Sequence, residues 1–211
     1  MGFTEESLQT DESKKMYDLW KAGHCQQNFR KDVLPNPRTS CGPYHPKRSA
    51  AEFDSQAQKA TESANNEITS NHDTIGMVII DANADVSVGT STNGATHKIP
   101  GRVGDAPLPG AGAYVDNAVG GAAATGDGDV MMRFLPSYHA VELMANGATP
   151  SEATRSAIER IKPFYPAFTG AVIAADKKGR YGAACHGIPT FSYCVFNNHS
   201  DAVQVITVDC I

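Results

Sequence analysis

A chain of 211 residues, 19% of them charged and with a formal net charge of -5, has the length of one ordinary domain and can bury a real core. Its 18 lysines and arginines form no basic stripe of the kind that grips phosphate backbones, which argues against nucleic acid as a partner. No apolar run approaches the roughly 20 residues needed to cross a bilayer, so a soluble protein with no membrane partner is expected.

The opening "MGFTEESLQTDESKK" has neither the basic start nor the apolar stretch of a signal peptide, which taken alone points to the cytosol. Asp11 to Ala22 then predicts a helix, with acid in its first turn, Met16, Leu19 and Trp20 on one face, and Gly23 as its stop. That face expects something to pack against. Cys25 and Cys41 flank a Pro-rich segment with little regular structure. From His45 to Asp73 the chain is polar, with only Phe53 and Ile68 as larger apolar residues, and reads as a mobile surface segment.

At Thr74 the character changes. "TIGMVIID" and "VSVGTST", joined across Asn83-Ala84-Asp85, predict a hairpin whose first strand is apolar enough to be buried on both faces. The Gly-, Ala- and Pro-rich stretch from Gly101 to Asp129 reads as loop, where backbone can approach a ligand closely. Helices are expected over Asp129 to Leu135, over Pro136 to Ala145, and from the capping box at Thr149-Pro150-Ser151-Glu152 to about Ile161. "GAVIAAD", "RYGAAC", "TFSYCVF" and "VQVITV" finish the chain as strands. The fold class is therefore α/β, or α+β, with helix layered over sheet.

Five cysteines allow two loop-closing disulfides, from Cys25, Cys41, Cys185 and Cys210, with Cys194 left over; five reduced thiols are equally compatible with the count. Asn198-His199-Ser200 is a glycosylation triplet that hints at an oxidising compartment. Seven histidines are scattered with no i, i+4 pair and there is no CxxC, so no metal is expected.

A hydroxyl that follows a mobile segment and opens a buried strand has a chemical use. If the Asp73-Thr74 peptide were cut, Thr74 would supply two groups at once, a hydroxyl nucleophile and a free α-amine. That amine has a reference pKa of about 7.7 to 8.0, so near neutral pH it can take the hydroxyl proton. The cut itself can use the same chemistry turned inward: the Thr74 hydroxyl attacks the Asp73 carbonyl, an ester forms, and water opens it, with the Asp73 carboxylate as base. By itself, though, an Asp-Thr pair before a strand is ordinary.

"HDTIGMV", "GTSTNG", "GRVGD", "GAGAY" and "ATGDGD" stand in the order and approximate spacing found in glycosylasparaginases, or aspartylglucosaminidases. "MGF", "CGPY", "MRFLPSY", "YGAAC" and "VDCI" extend the resemblance over essentially the whole chain. It implies an N-terminal-nucleophile hydrolase with an αββα sandwich. Residues 1–73 would be the C-terminal part of the α subunit, with a mobile linker over 45–73, and residues 74–211 the β subunit. Thr74 would be the nucleophile and His72-Asp73-Thr74 the self-cleavage site, with Thr92 beside Thr74.

Arg102, Val103, Gly104 and Asp105 would bind the zwitterionic end of an asparagine, the guanidinium on its carboxylate and the Asp105 carboxylate on its ammonium. Thr125 and Gly126 would face the developing oxyanion, with Asp127 and Gly128 also contacting substrate. By spacing alone these residues read as a turn at Thr92, a loop ion pair at Arg102 and Asp105, and a glycine turn before a helix. The implied reaction is hydrolysis of the bond between N-acetylglucosamine and asparagine in a small glycosylated-asparagine substrate, without cofactor. The resemblance also implies a lysosomal setting, disulfides among the cysteines named above, and self-association as (αβ)2.

Family members carry further α-subunit sequence ahead of "MGF", including sheet strands, so the sandwich implied for this chain is incomplete. Ala153 and Ala174 stand where relatives have a cysteine pair. Two other readings remain open: a β-aspartyl peptidase or L-asparaginase with the same nucleophile, and a catalytically inactive shortened form.

Overall fold

Two units divide the chain, one over Met1–Asn71 with Ala95–Arg102 and one over His72–Gly94 with Val103–Ile211. The computed structural model describes residues 2, 4–7, 9–23, 33–35, 44–46, 74–96, 98–198 and 200–211. Cys25, Cys41, His72, Asp73 and most of the segment read as mobile lie outside the described residues.

In the first unit, helix α1 spans Asp11–Ala22 as expected. The Thr10 hydroxyl accepts the Ser13 N–H at 3.1 Å and the Ser13 hydroxyl accepts the Thr10 N–H at 3.0 Å, a reciprocal cap on the free donors of the first turn. No residue of α1 is buried: on the face expected to pack, Met16 and Leu19 are 43% and 66% exposed and Trp20 is half-buried. Strands β1, Val33–Leu34, and β2, His45–Pro46, pair antiparallel inside a stretch read as irregular.

The second unit opens with the expected hairpin. Strands β3, Thr74–Ile80, and β4, Val86–Thr92, pair antiparallel from Thr74↔Thr92 to Ile80↔Val86. Asp81 closes its turn, Oδ1 accepting the N–H groups of Asn83 and Asp85, each at 2.8 Å. Burial on both faces is not found. Ile75, Met77 and Ile79 are 68%, 57% and 47% exposed, because among the described residues only the face carrying Val78 and Ile80 meets another sheet.

That other sheet corrects a second expectation. The Gly/Ala-rich stretch read as loop holds β5, Ala113–Asp116, and β6, Gly120–Gly126, the latter pairing with β5 and with β7, Gly170–Asp176. With β8, Tyr181–His186, the order is β5-β6-β7-β8, antiparallel throughout. Glycine and alanine have low strand propensity, but here packing decides. A Cβ at Gly121 would stand 2.8 Å from Val88 Cγ1 and 3.0 Å from Val78 Cγ1; one at Gly76 would stand 2.9 Å from Ala123 Cβ. Small residues let the hairpin settle directly on β6.

The opposite face of β6 and β7, carrying Ala122, Ala124, Val172 and Ala174, forms the core with the helices. Helix α2 is a single turn, Gly128–Met131, rather than the helix expected to Leu135. Leu135, immediately before Pro136, adopts φ +49, outside the right-handed helical region, so no helix runs through it. Helices α3, Pro136–Ala145, and α4, Pro150–Glu159, fall close to expectation, and both pack on the sheet. Fully buried Ile158, Ile161 and Val172 each contribute about 1.5–3 kcal/mol relative to exposure. Ala153 and Ala174 both lie in this core.

The chain closes with the hairpin of β9, Thr190–Val195, and β10, Gln204–Asp209. A disulfide joins Cys185 to Cys210 and Cys194 is a free thiol, as one pairing of the count allowed. The Ile211 N–H donates to the Cys185 carbonyl at 2.9 Å, so covalent and hydrogen-bonded ties fasten the same end.

Candidate active site

The ends of β3 and β4 bring two hydroxyls together. Thr74 and Thr92 are directly opposed in the ladder, and their Oγ1 atoms stand 2.8 Å apart. Directly paired residues of antiparallel strands present side chains to the same face, so the register dictates this meeting. Thr92 is held from behind as well, its Oγ1 accepting the Gly94 N–H at 2.9 Å. A hydroxyl has two lone pairs and one hydrogen, so Thr92 can accept from Gly94 and still donate to, or accept from, Thr74.

Strand alternation adds a third hydroxyl. Gly76 lies over Ala123, and Val78 lies against Gly121. By alternation Thr125 shares with Gly121 and Ala123 the side of β6 that meets the hairpin, while Thr74 opens β3. Both are half-buried, at the same end of the two facing sheets.

Gly126 follows, at φ +132, where an added Cβ would lie 2.4 Å from the Thr169 carbonyl oxygen. Only glycine fits there. The Asp127 N–H donates across to the Thr169 carbonyl at 2.7 Å, and the Ala124 N–H donates the other way, to the Gly112 carbonyl at 2.8 Å. Successive N–H groups of a strand alternate in direction, so the Gly126 N–H points to the β5 side, past the last β5–β6 pair at Ala113↔Ala123. Asp127 precedes the single turn of α2 and its carbonyl accepts from Val130 and Met131; Gly128 is buried.

Asp105 is buried, 6% exposed, and its Oδ2 makes no hydrogen bond although the residue is engaged elsewhere. Its loop is tied to both sheets. The Thr90 hydroxyl donates to the Ala106 carbonyl at 2.9 Å, and the Asp105 carbonyl accepts the Leu108 and Gly112 N–H groups. Gly112 crosses so close that an added Cβ would lie 2.5 Å from Ala106 Cα. Gly104 is half-buried and Val103 exposed. Arg102 belongs to the first unit, where its N–H donates to the Ile99 carbonyl at 3.2 Å.

Thr90 was not singled out from sequence. Its signal was available: in "GTSTNG" it stands two residues from Thr92 and hence on the same face of β4. Among the described residues no group of three or more His, Cys, Asp or Glu side chains could hold a metal ion, and no helix is long and apolar enough to cross a membrane.

Hydroxyls at a strand end, a glycine turn with an outward N–H and a buried carboxylate are parts that acyl transfer needs: a nucleophile, a donor for the oxyanion and an anchor for a cation. Comparison with known proteins gives this arrangement a context. The family profile described as asparaginase matches residues 1–205. A rat protein named N(4)-(beta-N-acetylglucosaminyl)-L-asparaginase is 48% identical over 215 residues, covering 100% of this chain and 60% of the rat protein. The mouse protein of the same name is 47% identical over 214 residues, with the same coverage of both chains. A Drosophila persimilis protein, provisionally given that name, is 54% identical over 197 residues, 93% of this chain and 50% of its own length. The chain thus spans about half the length of the curated relatives it matches. It is similar to glycosylasparaginases over its whole length, and it belongs to the asparaginase family.

Proposed function

We propose that this chain carries the catalytic β portion of an amidohydrolase that cleaves the bond between N-acetylglucosamine and the asparagine side chain, with Thr74 as an N-terminal nucleophile freed by cleavage after Asp73. The observation that carries the reading is the 2.8 Å contact between the Thr74 and Thr92 hydroxyls at the end of β3 and β4. In the first step the Thr74 α-amine takes the proton from its own Oγ1 while that oxygen attacks the side-chain carbonyl. The bond to the sugar nitrogen breaks, that nitrogen takes the proton and leaves as the sugar amine, and a β-aspartyl ester remains on Thr74. Water, activated by the same amine, then attacks the ester, aspartate leaves, and the hydroxyl is restored.

Thr92 fixes the rotamer of Thr74. Thr125 and the Gly126 N–H stabilise the oxyanion, a contribution typically worth two to three orders of magnitude per donor. Asp105 holds the α-ammonium of the asparagine. Arg102, Val103, Gly104, Asp127 and Gly128 are assigned to substrate on the resemblance to the family, with Arg102 on the α-carboxylate. The αββα arrangement is part of the same reading, supported by the exposed Ile75, Met77 and Ile79 side chains on the outer face of β3, where a further layer would lie. So are a lysosomal setting, supported by the Cys185–Cys210 disulfide, and assembly as (αβ)2.

The test is a mass-spectrometric assay of N-acetylglucosaminyl-asparagine beside a β-aspartyl dipeptide and free asparagine. Release of aspartate from the sugar conjugate in preference to the others supports the reading. Turnover of the dipeptide alone makes the protein a β-aspartyl peptidase, and turnover of none by cleaved protein makes this chain a catalytically inactive form.

A further inference from the structure

The β9–β10 hairpin has an exposed outer face. Its register pairs Cys194 with Val205 and ends at Val195 opposite Gln204, with Phe196 and Val203 just beyond that last pair. Cys194 and Val205 share one face, and Phe196, Val203 and Val205 are 67%, 60% and 68% exposed, with Cys194 exposed beside them. The other face, with Phe191, Tyr193, Ile206 and Val208, is the half-buried one. An apolar stripe therefore lies open at the hairpin's tip, where a bare patch invites association.

In the loop that joins these strands lies the one Asn-X-Ser/Thr triplet of the sequence, Asn198-His199-Ser200. The Ser200 N–H donates to the Asn197 carbonyl, and the Ser200 hydroxyl to Asn197 Oδ1, each at 3.0 Å. This tight turn contains Asn198, which is exposed and two residues from Phe196.

We propose that Asn198 is an acceptor for an N-linked glycan whose first sugars cover the Phe196, Val203 and Val205 stripe and the Cys194 thiol. The triplet supplies the acceptor amide and the hydroxyl two residues on, with a residue other than proline between them. The turn offers them at a surface tip, where a bulky, solubilising group is tolerated. In the transfer, Asn198 Nδ2 bonds to C1 of an oligosaccharide carried on a lipid pyrophosphate. The bond from C1 to the pyrophosphate oxygen breaks with its electron pair on that oxygen, and a base of the transferring enzyme takes the amide proton. Sugar rings have apolar CH faces that stack on aromatic side chains, which gives Phe196 a specific part in holding the glycan down. The inference rests on the secretory route proposed above and not on the hydrolase chemistry.

The full chain behind a cleavable leader is translated with endoplasmic-reticulum microsomes, and only leader-processed, protease-protected molecules are scored, so the natural route of the protein does not enter the result. One mobility shift is expected, sensitive to endoglycosidase and abolished by both Asn198→Gln and Ser200→Ala. Processed molecules without the shift, or a shift that survives Asn198→Gln, overturn the acceptor assignment. For the cover, the folded glycoprotein is treated with endoglycosidase and its binding of an apolar dye measured. Binding should rise severalfold, and less in Phe196→Ser; no rise overturns the covering role.

Discussion

Thr74 Oγ1 and Thr92 Oγ1 stand 2.8 Å apart because the two residues close the β3–β4 ladder directly opposite each other, and the Gly94 N–H pins Thr92 from behind. If that contact orients the nucleophile, Thr92→Val should lower kcat/KM by about a hundredfold or more while leaving the hairpin folded, because valine keeps the shape and loses only the hydroxyl. Thr92→Ser should recover most of the loss. Steady-state kinetics on variants with unchanged thermal midpoints decide it, and equal losses in the two variants would assign Thr92 a packing role alone.

Asp105 is held under a loop fastened by Thr90 and Gly112, and a buried carboxylate there suits an ammonium. Asp105→Asn should raise KM by roughly ten- to a hundredfold, the range of a charge-assisted hydrogen bond, with a smaller change in kcat. A substrate analogue lacking the α-amine gives an independent check. Wild type should discriminate strongly against the analogue, and Asp105→Asn hardly at all.

The cap of α4 makes one part of stability depend on pH. Glu152 Oε2 accepts the Thr149 N–H at 2.8 Å and its hydroxyl at 2.7 Å, and these bonds, the backbone one first, hold the carboxyl below its usual range. A carboxyl whose folded value is depressed contributes stability above its unfolded value of about 4.3, and that contribution disappears as pH falls through the lower folded value. Glu152→Gln should therefore melt below wild type at pH 7, with the gap closing as pH falls toward 3. A gap of constant size across thermal melts in that window would contradict the account.

The Cys185–Cys210 disulfide spans 25 residues and ties β8 to the segment after β10. Loop-closure entropy for that span predicts a loss of about 3.5 kcal/mol when both cysteines become alanine. Chemical denaturation read by near-ultraviolet circular dichroism measures it, and a loss well under 1 kcal/mol would show that the unfolded chain is restrained by other means.

Elements marked by a strand-forming run, a turn or a cap were legible from sequence. Two such runs across Asn83-Ala84-Asp85 announce the β3–β4 hairpin, the Thr149–Glu152 box announces α4, and both were placed closely. Strand β6 was not, because Gly120–Gly126 carries no large residue to set a period, and its reason for being a strand lies in the valines of the hairpin that fit against it. Exposure of Ile75, Met77 and Ile79 was equally hidden, since sequence shows that a strand is apolar on both faces but not which face finds a partner. Within the site, Thr74 and Thr92 were named as neighbours from the resemblance, while Thr90 passed as an ordinary strand residue until its bond to the Ala106 carbonyl placed it under the Asp105 loop.

The central claim is that Thr74 becomes a chain terminus and a nucleophile. Intact-mass analysis of the purified protein, beside Thr74→Ala, tests it most directly. The account predicts that wild type resolves into two fragments, the second beginning at Thr74, and that Thr74→Ala stays whole. Wild type that stays whole under conditions where it is folded would contradict it, as would cleavage at the same bond in the alanine variant.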